Sequence, residues 1–241
     1  MSGQELSSQE TAYAPLYADD SAHRLSVPEG RGSSSREALG GLSKRLFDVI
    51  VTSIAVIFLM PVIILIALIV RAYDGGPALY RHQRVGLGGR LFACLKFRSM
   101  RVDSERVLEA HLAASPAAAR EWALYQKLRS DPRVTPVGRF LRKTSLDELP
   151  QLFNILLGEM SLVGPRPIVP SELERYCLAS VHYLRARPGL TGLWQISGRS
   201  LLTYERRIEL DCEYVNRWRF LSDVSIILRT IPALLFRGGA I

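Results

Sequence analysis

The chain has 241 residues, 48% apolar and 22% charged, with a formal net charge of +8. That length holds one domain or two with a sizeable core, and the composition excludes a wholly disordered chain and a multi-span transporter. Of the 31 basic residues 27 are arginine. GC-rich coding alone produces such a bias, and so does a phosphate-binding surface, because the guanidinium fork matches phosphate oxygens. Nucleic acid, anionic lipid and nucleotide substrates are all open at this level. Cys94, Cys177 and Cys212 form no CxxC, and His23, His82, His111 and His182 form no HExxH or HxH. Neither a disulfide framework nor a transition-metal site is indicated, and a reducing compartment fits.

Residues 1–40 read as a disordered acidic tail rich in Ser, Gly, Ala and Pro, with a net charge of −3. It lacks the basic segment and directly following apolar run of a secretory signal. Val49 to Val70 is then a run of 22 residues without a charge. As one helix it extends about 33 Å, enough for a hydrocarbon core of about 30 Å. Pro61 lies at its centre and bends it. Basic residues flank both ends (Lys44 and Arg45 before, Arg71, Arg81, Arg84 and Arg90 after), so charge does not assign the ends to opposite sides. A kinked single span and a helix that enters, kinks at Pro61 and leaves by the same face both fit. A buried helix of a soluble protein does not, given the length and apolarity of the run.

From Ala72 onward the chain reads as a soluble cationic domain. Leu79 to Val85 and Arg90 to Phe97 suggest two short strands joined by a turn at Gly86, Gly88 and Gly89. Asp103 to Arg129 is helical in pattern and interrupted at Ser115-Pro116, an N-cap and N1 pair. Ser145 to Gly158 predicts a shorter helix, with Ser145 and Glu148 in capping-box spacing. Ser171 and Glu174 have the same spacing and open a helix over Ser171 to Ala179. Leu201 to Phe220 predicts another. In Asp223 to Phe236 the residues Val224, Ile227, Leu228, Ile231, Leu234 and Leu235 share one face. Arg219, Arg229 and Arg237 border that face, which favours a membrane interface over the core.

Polar groups with chemical potential concentrate between Asp131 and Pro167. In a helix starting at Ser145, Leu149, Leu152, Phe153 and Leu156 form an apolar stripe. Asp147, Glu148, Gln151 and Asn154 take the other side. Two adjacent carboxylates then stand in a first turn, where free N–H groups and the helix dipole also attract phosphate. Arg139, Arg142 and Lys143 lie just before it and can neutralise a diphosphate. One carboxylate near bound phosphate can be a nucleophile and the other can hold magnesium. The bland alternative is that both merely complement the helix end, and a Glu148 committed to a cap is not free for metal. Gly164-Pro165-Arg166-Pro167 is a rigid turn presenting one arginine, to an anion or simply as a turn. Pro188 to Gln195, followed by Ser197-Gly198-Arg199, is a second Gly-rich loop whose amides could meet phosphate or a base. No GxxxxGK[ST] is present, so P-loop ATP binding is not supported. Trp194 and Trp218 read as core residues.

These residues together make the chain resemble the bacterial sugar transferases, the monotopic polyprenyl-phosphate phosphoglycosyl transferases that initiate glycan assembly. The resemblance covers about residues 42–236. It rests on Lys44-Arg45-x-x-Asp48, Pro61, Lys96-Phe97-Arg98-Ser99-Met100, Ser145-Leu146-Asp147-Glu148-Leu149-Pro150-Gln151, Gly164-Pro165-Arg166-Pro167 and Pro188-Gly189-Leu190-Thr191-Gly192. It implies an α+β, mainly helical, membrane-monotopic fold. A re-entrant helix over 41–72 would be kinked at Pro61 and anchored through Lys44, Arg45 and Asp48. A catalytic domain over 73–241 would face the cytoplasm at the bacterial inner membrane.

The resemblance further implies transfer of a sugar phosphate from a UDP-sugar to undecaprenyl phosphate, with release of UMP, in exopolysaccharide synthesis. Asp147 would form a covalent phosphosugar intermediate and Glu148 would help hold Mg2+. Arg142 and Arg166, with Pro165 and Pro167, would meet the nucleotide phosphates. Lys96, Arg98 and, from the D-x-x-Y pattern, Asp211 would complete the substrate site. Galactose and glucose are the expected sugars, with N-acetylated and deoxy sugars open; a homodimer is open too. Two features depart from the family pattern. Met60 precedes Pro61 where some members have serine, and only a polar tail precedes the shared part, as in a compact form.

Two other classes compete. A membrane-anchored, arginine-rich binding protein explains the charge and the apolar run but not the ordered motifs, and no RNA-binding signature is present. A nucleotide-sugar hydrolase would need no lipid.

Overall fold

The computed structural model describes residues 38–198 and 202–235, and the expected tail lies outside them except for its last three residues. The described chain is mainly helical, with two small sheets. Helix α1 (Gly41–Asp74) is followed by a hairpin, β1 (Leu79–Val85) and β2 (Leu91–Phe97), as expected from the sequence. Next come α2 (Ser104–Ala114) and α3 (Pro116–Tyr125), then α4 (Pro136–Thr144) and, after a 3-10 turn at Leu146–Glu148, α5 (Gln151–Leu157). Strand β3 (Ser161–Val163), α6 (Pro170–Arg175) and α7 (Ser180–Tyr183) lead to β4 (Gly189–Thr191), α8 (Leu193–Ile196), α9 (Tyr204–Asn216) and α10 (Phe220–Leu235). β3 and β4 pair in parallel, Ser161 opposite Gly189 and Val163 opposite Thr191.

Helix α1 is continuous, with Pro61 inside it, and at 34 residues it extends about 51 Å. It is the one helix among the described residues long and apolar enough to cross a bilayer. Its pattern is inverted relative to a soluble amphipathic helix. The buried stripe runs Lys44, Asp48, Thr52, Val56, then Ile63, Ile66 and Val70, so its first half is polar. The outward flank is apolar: Leu46, Ile50, Ile54, Ile57, Phe58, Leu65 and Leu68 are all exposed.

Two residues of the polar half are satisfied by protein, Lys44 and Asp48, while the buried Thr52 hydroxyl has no partner among the described residues. Lys44 Nζ meets Asp223 Oδ2 of α10 at 2.6 Å, and Asp48 accepts from Ser161 Oγ at 2.7 Å and Leu162 N at 3.2 Å. Arg45 donates to the carbonyls of Ile155 and Leu156 at 2.5 and 2.8 Å, at the end of α5 where the dipole favours a cation. At the far end, Asp74 pairs with Arg98 just past β2. Both ends of α1 therefore bind the same domain.

Three clusters form the core. Val56 joins Phe92, Ile155, Met160, Val163, Tyr214 and Ile226; Ile63, Ile66 and Val70 join Phe97 and Leu141; Val85, Ile168, Tyr176 and Tyr183 form the third. Ser115 caps α3 as expected, its hydroxyl accepting from Ala118 N at 3.2 Å.

Two capping expectations are corrected. Ser145 adopts φ 59° and closes α4 instead of opening a helix, so the helix expected from Ser145 becomes a 3-10 turn followed by α5. The α6 cap is Val169, whose N–H donates to Glu172 at 3.1 Å; Pro170 takes the first helical position and displaces Ser171 from the cap. In α10 the buried line is Asp223 and Ile226, while Leu221, Leu228 and Ile231 face outward, next to the start of α1 through a Phe47–Phe220 ring contact of 5.1 Å.

Candidate active site

The carboxylate pair is built by a change of helix type. Helix α4 starts at the Thr135 cap, where Gly138 N reaches the hydroxyl at 2.8 Å, and ends at Ser145 in a left-handed conformation. The chain then turns tightly, and both Asp147 and Glu148 are half-buried. Below them, Asn154 of α5 acts like a neighbouring strand to β2. Its Oδ1 accepts from Leu95 N at 2.9 Å and its Nδ2 donates to Ala93 O at 2.8 Å. Gln151 and Asn154 are thus buried, not on an outer polar face.

This clamp places Lys96 beside the pair, with Nζ 2.7 Å from Glu148 Oε1. Burial opposes the Lys96 charge, but Glu148 and then Asp147 hold its pKa above the ordinary lysine value. Burial raises the Asp147 pKa; Lys96 and Arg142 pull it down and Glu148 pushes it further up, with a net rise. Arg142 is oriented by a 2.8 Å hydrogen bond from its Nε to Ser99 Oγ. Lys96, Arg142, Asp147 and Glu148 therefore share one electrostatic neighbourhood. Arg98 turns away from it, toward Asp74 and the Val70 carbonyl.

The other motif residues form a second group. Arg166 Nη1 pairs with Glu172 Oε1 at 3.1 Å, and its backbone N–H donates to Asp211 at 3.3 Å. Asp211 is buried beneath the Pro165-Arg166-Pro167 turn and accepts from Tyr176 OH at 2.8 Å. Burial pushes its pKa up to about 7, against the lowering by these donors. It supports the turn from below.

The two Gly-rich loops bind each other. Gly164 N donates to Thr191 O and Gly189 N to Pro165 O, both at 2.9 Å. A Cβ on Gly164 or Gly189 would run into the other's backbone. These two amides hold the site together and are not turned to a ligand.

The hairpin links the groups. Tyr80, His82 and Arg84 stand opposite Lys96, Cys94 and Phe92 on one face. Arg84 Nη1 lies 3.7 Å from Glu172 Oε2, and Arg84 Nη2 lies 3.1 Å from His82 Nδ1. A guanidinium only donates, so Nδ1 accepts and the His82 proton is on Nε2. Burial, then the Arg84 and Lys96 charges, lower the His82 pKa and keep the ring neutral near pH 7. The sequence motifs assign no role to His82 or Glu172, and Arg84 enters among them only as a flanking charge. The signal that finds His82 and Arg84 is strand alternation, counted from Lys96 through the hairpin register.

The described residues contain no group of three or more His, Cys, Asp or Glu side chains able to hold a metal. Magnesium asks for less: one or two carboxylates, with phosphate and water oxygens completing the shell. The Asp147–Glu148 pair fits that requirement.

The bacterial sugar transferase family matches residues 39–237, and the chain belongs to it. The chain is 52% identical over 214 residues to the exopolysaccharide production protein ExoY of Sinorhizobium fredii, covering 89% of this chain and 94% of that one. It is 53% identical over 197 residues to the undecaprenyl-phosphate galactose phosphotransferase of Salmonella typhimurium, covering 82% of this chain and 41% of that longer protein. A UDP-glucose:undecaprenyl-phosphate glucose-1-phosphate transferase of Caulobacter vibrioides is 40% identical over 209 residues, covering 83% of this chain and 72% of that one.

Proposed function

We propose that this protein transfers a hexose 1-phosphate from UDP-galactose or UDP-glucose to undecaprenyl phosphate and releases UMP. The observation that carries the reading is the division of labour in the pair. Glu148 is tied to Lys96 at 2.7 Å, whereas Asp147 is desolvated beside Lys96 and Arg142. Two of the relatives support it by name, an undecaprenyl-phosphate galactose phosphotransferase and a UDP-glucose:undecaprenyl-phosphate glucose-1-phosphate transferase.

In the first step an Asp147 carboxylate oxygen attacks the phosphorus that bears the sugar. The bond from that phosphorus to the bridging diphosphate oxygen breaks, and UMP leaves with the electron pair. In the second step an oxygen of the lipid phosphate attacks the same phosphorus, and the Asp147 carboxylate leaves. Lys96 and Arg142 offset charge on the transferring phosphoryl group, and Arg166 holds the nucleotide phosphates. Magnesium, when bound at Glu148 and the diphosphate, supplies further neutralisation of that charge.

Anchoring completes the reading. The outward apolar flanks of α1 and α10 suit lipid, and the docking of both α1 ends on one domain supports re-entry, not crossing. The bacterial inner membrane, with the domain on the cytoplasmic side where UDP-sugars are available, is the location that fits. UMP release by purified protein with Mg2+ and undecaprenyl phosphate, across a panel of UDP-sugars, tests the reading. One donor giving lipid-dependent turnover to UMP supports it, and UMP release over many turnovers without lipid would favour a hydrolase.

A further inference from the structure

Helix α8 carries a polar group that the fold does not use. The indole Nε1 of Trp194 is buried and has no hydrogen-bond partner in the described structure. An indole N–H can only donate, so it requires an acceptor from elsewhere. Its surroundings are cationic: the Arg166 guanidinium lies 5.8 Å and the Arg207 guanidinium 5.6 Å from the Trp194 ring centroid. Arg166 already shares its charge with Glu172 at 3.1 Å, and a buried donor on a ring flanked by these two guanidinium groups suits an oxygen-rich anion.

The position is also informative. Arg166 connects Trp194 to the site through Glu172 and Arg84 to the hairpin face that carries Lys96. On its other side α8 packs against α9 and α10, with Leu193 and Ile196 against the cluster that contains Val56 of α1 and Ile226 of α10. Trp194 therefore lies next to the Arg166–Glu172–Arg84 group on one side, while α8 packs against α9 and α10.

We propose that Trp194 Nε1, with Arg207 and Arg166, is a receptor for a phosphate oxygen of a substrate. This rests on the transferase reading, in which both substrates carry phosphate: one in the nucleotide diphosphate, one on the lipid. The indole donates the hydrogen bond and fixes the orientation of the group, while the two guanidinium groups provide the charge.

The test is equilibrium binding, which needs no turnover. UMP and a short-chain polyprenyl phosphate in detergent micelles are each titrated by calorimetry into full-length wild type, Trp194→Phe and Arg207→Gln, with thermal unfolding measured for each. Trp194→Phe keeps an aromatic ring and removes the donor. The proposal expects both variants to bind the same one of the two ligands about tenfold more weakly, with the melting temperature of Trp194→Phe held. Weakened UMP binding assigns the nucleotide phosphate, and weakened polyprenyl phosphate binding assigns the lipid phosphate. Unchanged affinity for both ligands overturns the proposal, as does equal weakening of both with a lowered melting temperature, which marks a packing residue. Should Trp194→Phe fail to fold, Arg207→Gln decides by the same binding criterion. A wild type that binds both ligands but shows no turnover defeats the transferase reading and leaves this test intact; a wild type that binds neither defeats both.

Discussion

At the scale of single residues, the proposed chemistry turns on the division between Asp147 and Glu148. A carboxylate held in an ion pair is a poor nucleophile, and a desolvated one is a better one. Asp147→Asn is expected to lower UMP release at least about a thousandfold. Activity should fall on the acid side as Asp147 is protonated, at a pH above the ordinary aspartate range, because its pKa is raised. Lys96 pulls that pKa down, so Lys96→Met should move the acid limb of kcat/KM to higher pH; an unmoved or lowered limb would count against the arrangement. Asp211 gives a separate signature in stability. Its folded pKa of about 7 exceeds the ordinary aspartate value of about 3.9, so the folded state holds the extra proton between them. That contribution is complete below the unfolded pKa and is lost as pH rises through about 7. Asp211→Asn should therefore gain stability relative to wild type on going from pH 5 to pH 8, read from urea midpoints. A constant difference between the two pH values would show that Asp211 is not the group involved.

Among the elements, α1 is unusual because its buried stripe begins with ions. Lys44 and Asp223 are both buried, and Asp223 Oδ1 lies 2.8 Å from Tyr214 OH while Oδ2 lies 3.0 Å from Trp218 Nε1. Lys44→Met leaves that carboxylate without its cation and should destabilise the fold by about 3 kcal/mol, measured by denaturant unfolding. A change under about 0.5 kcal/mol would show that the pair does not hold α1 to the domain.

The same scale shows what was legible in the sequence. The hairpin was, because its alternation and turn glycines agree, and so was the break between α2 and α3. Helix α4 was not anticipated, although Thr135-Pro136 is the same cap pair as Ser115-Pro116. Ser145 misled because S-x-x-E spacing does not reveal a left-handed serine. The strands β3 and β4 have three residues each, too short for any period. The amides of the Pro188 to Gln195 loop read as partners for phosphate or a base because sequence alone does not show that the Gly164 turn is that loop's neighbour. Asp147, Glu148, Arg142 and Arg166 were all legible as motifs, but the ion pair that distinguishes Glu148 joins positions 52 residues apart.

For the whole molecule, the proposed reaction requires that a polar domain present its site to a lipid phosphate. Helix α1 is held at its start to α5, β3 and α10, and at its end to Arg98, and the proposed re-entry puts both ends on one side of a bilayer. With Cys94, Cys177 and Cys212 replaced by alanine, single cysteines from Leu42→Cys and Tyr73→Cys should both be labelled by an impermeant reagent from the cytoplasmic side of inverted vesicles. Labelling of the two from opposite sides would mean a span. The order of the two chemical steps tests the account most directly. Purified wild type mixed with Mg2+ and the preferred UDP-sugar, without lipid, should release a burst of UMP close to one equivalent per enzyme. Further release should wait for undecaprenyl phosphate, and Asp147→Asn should give no burst. A wild type silent until lipid is added, or an Asp147→Asn variant with an undiminished burst, would contradict the covalent role of Asp147.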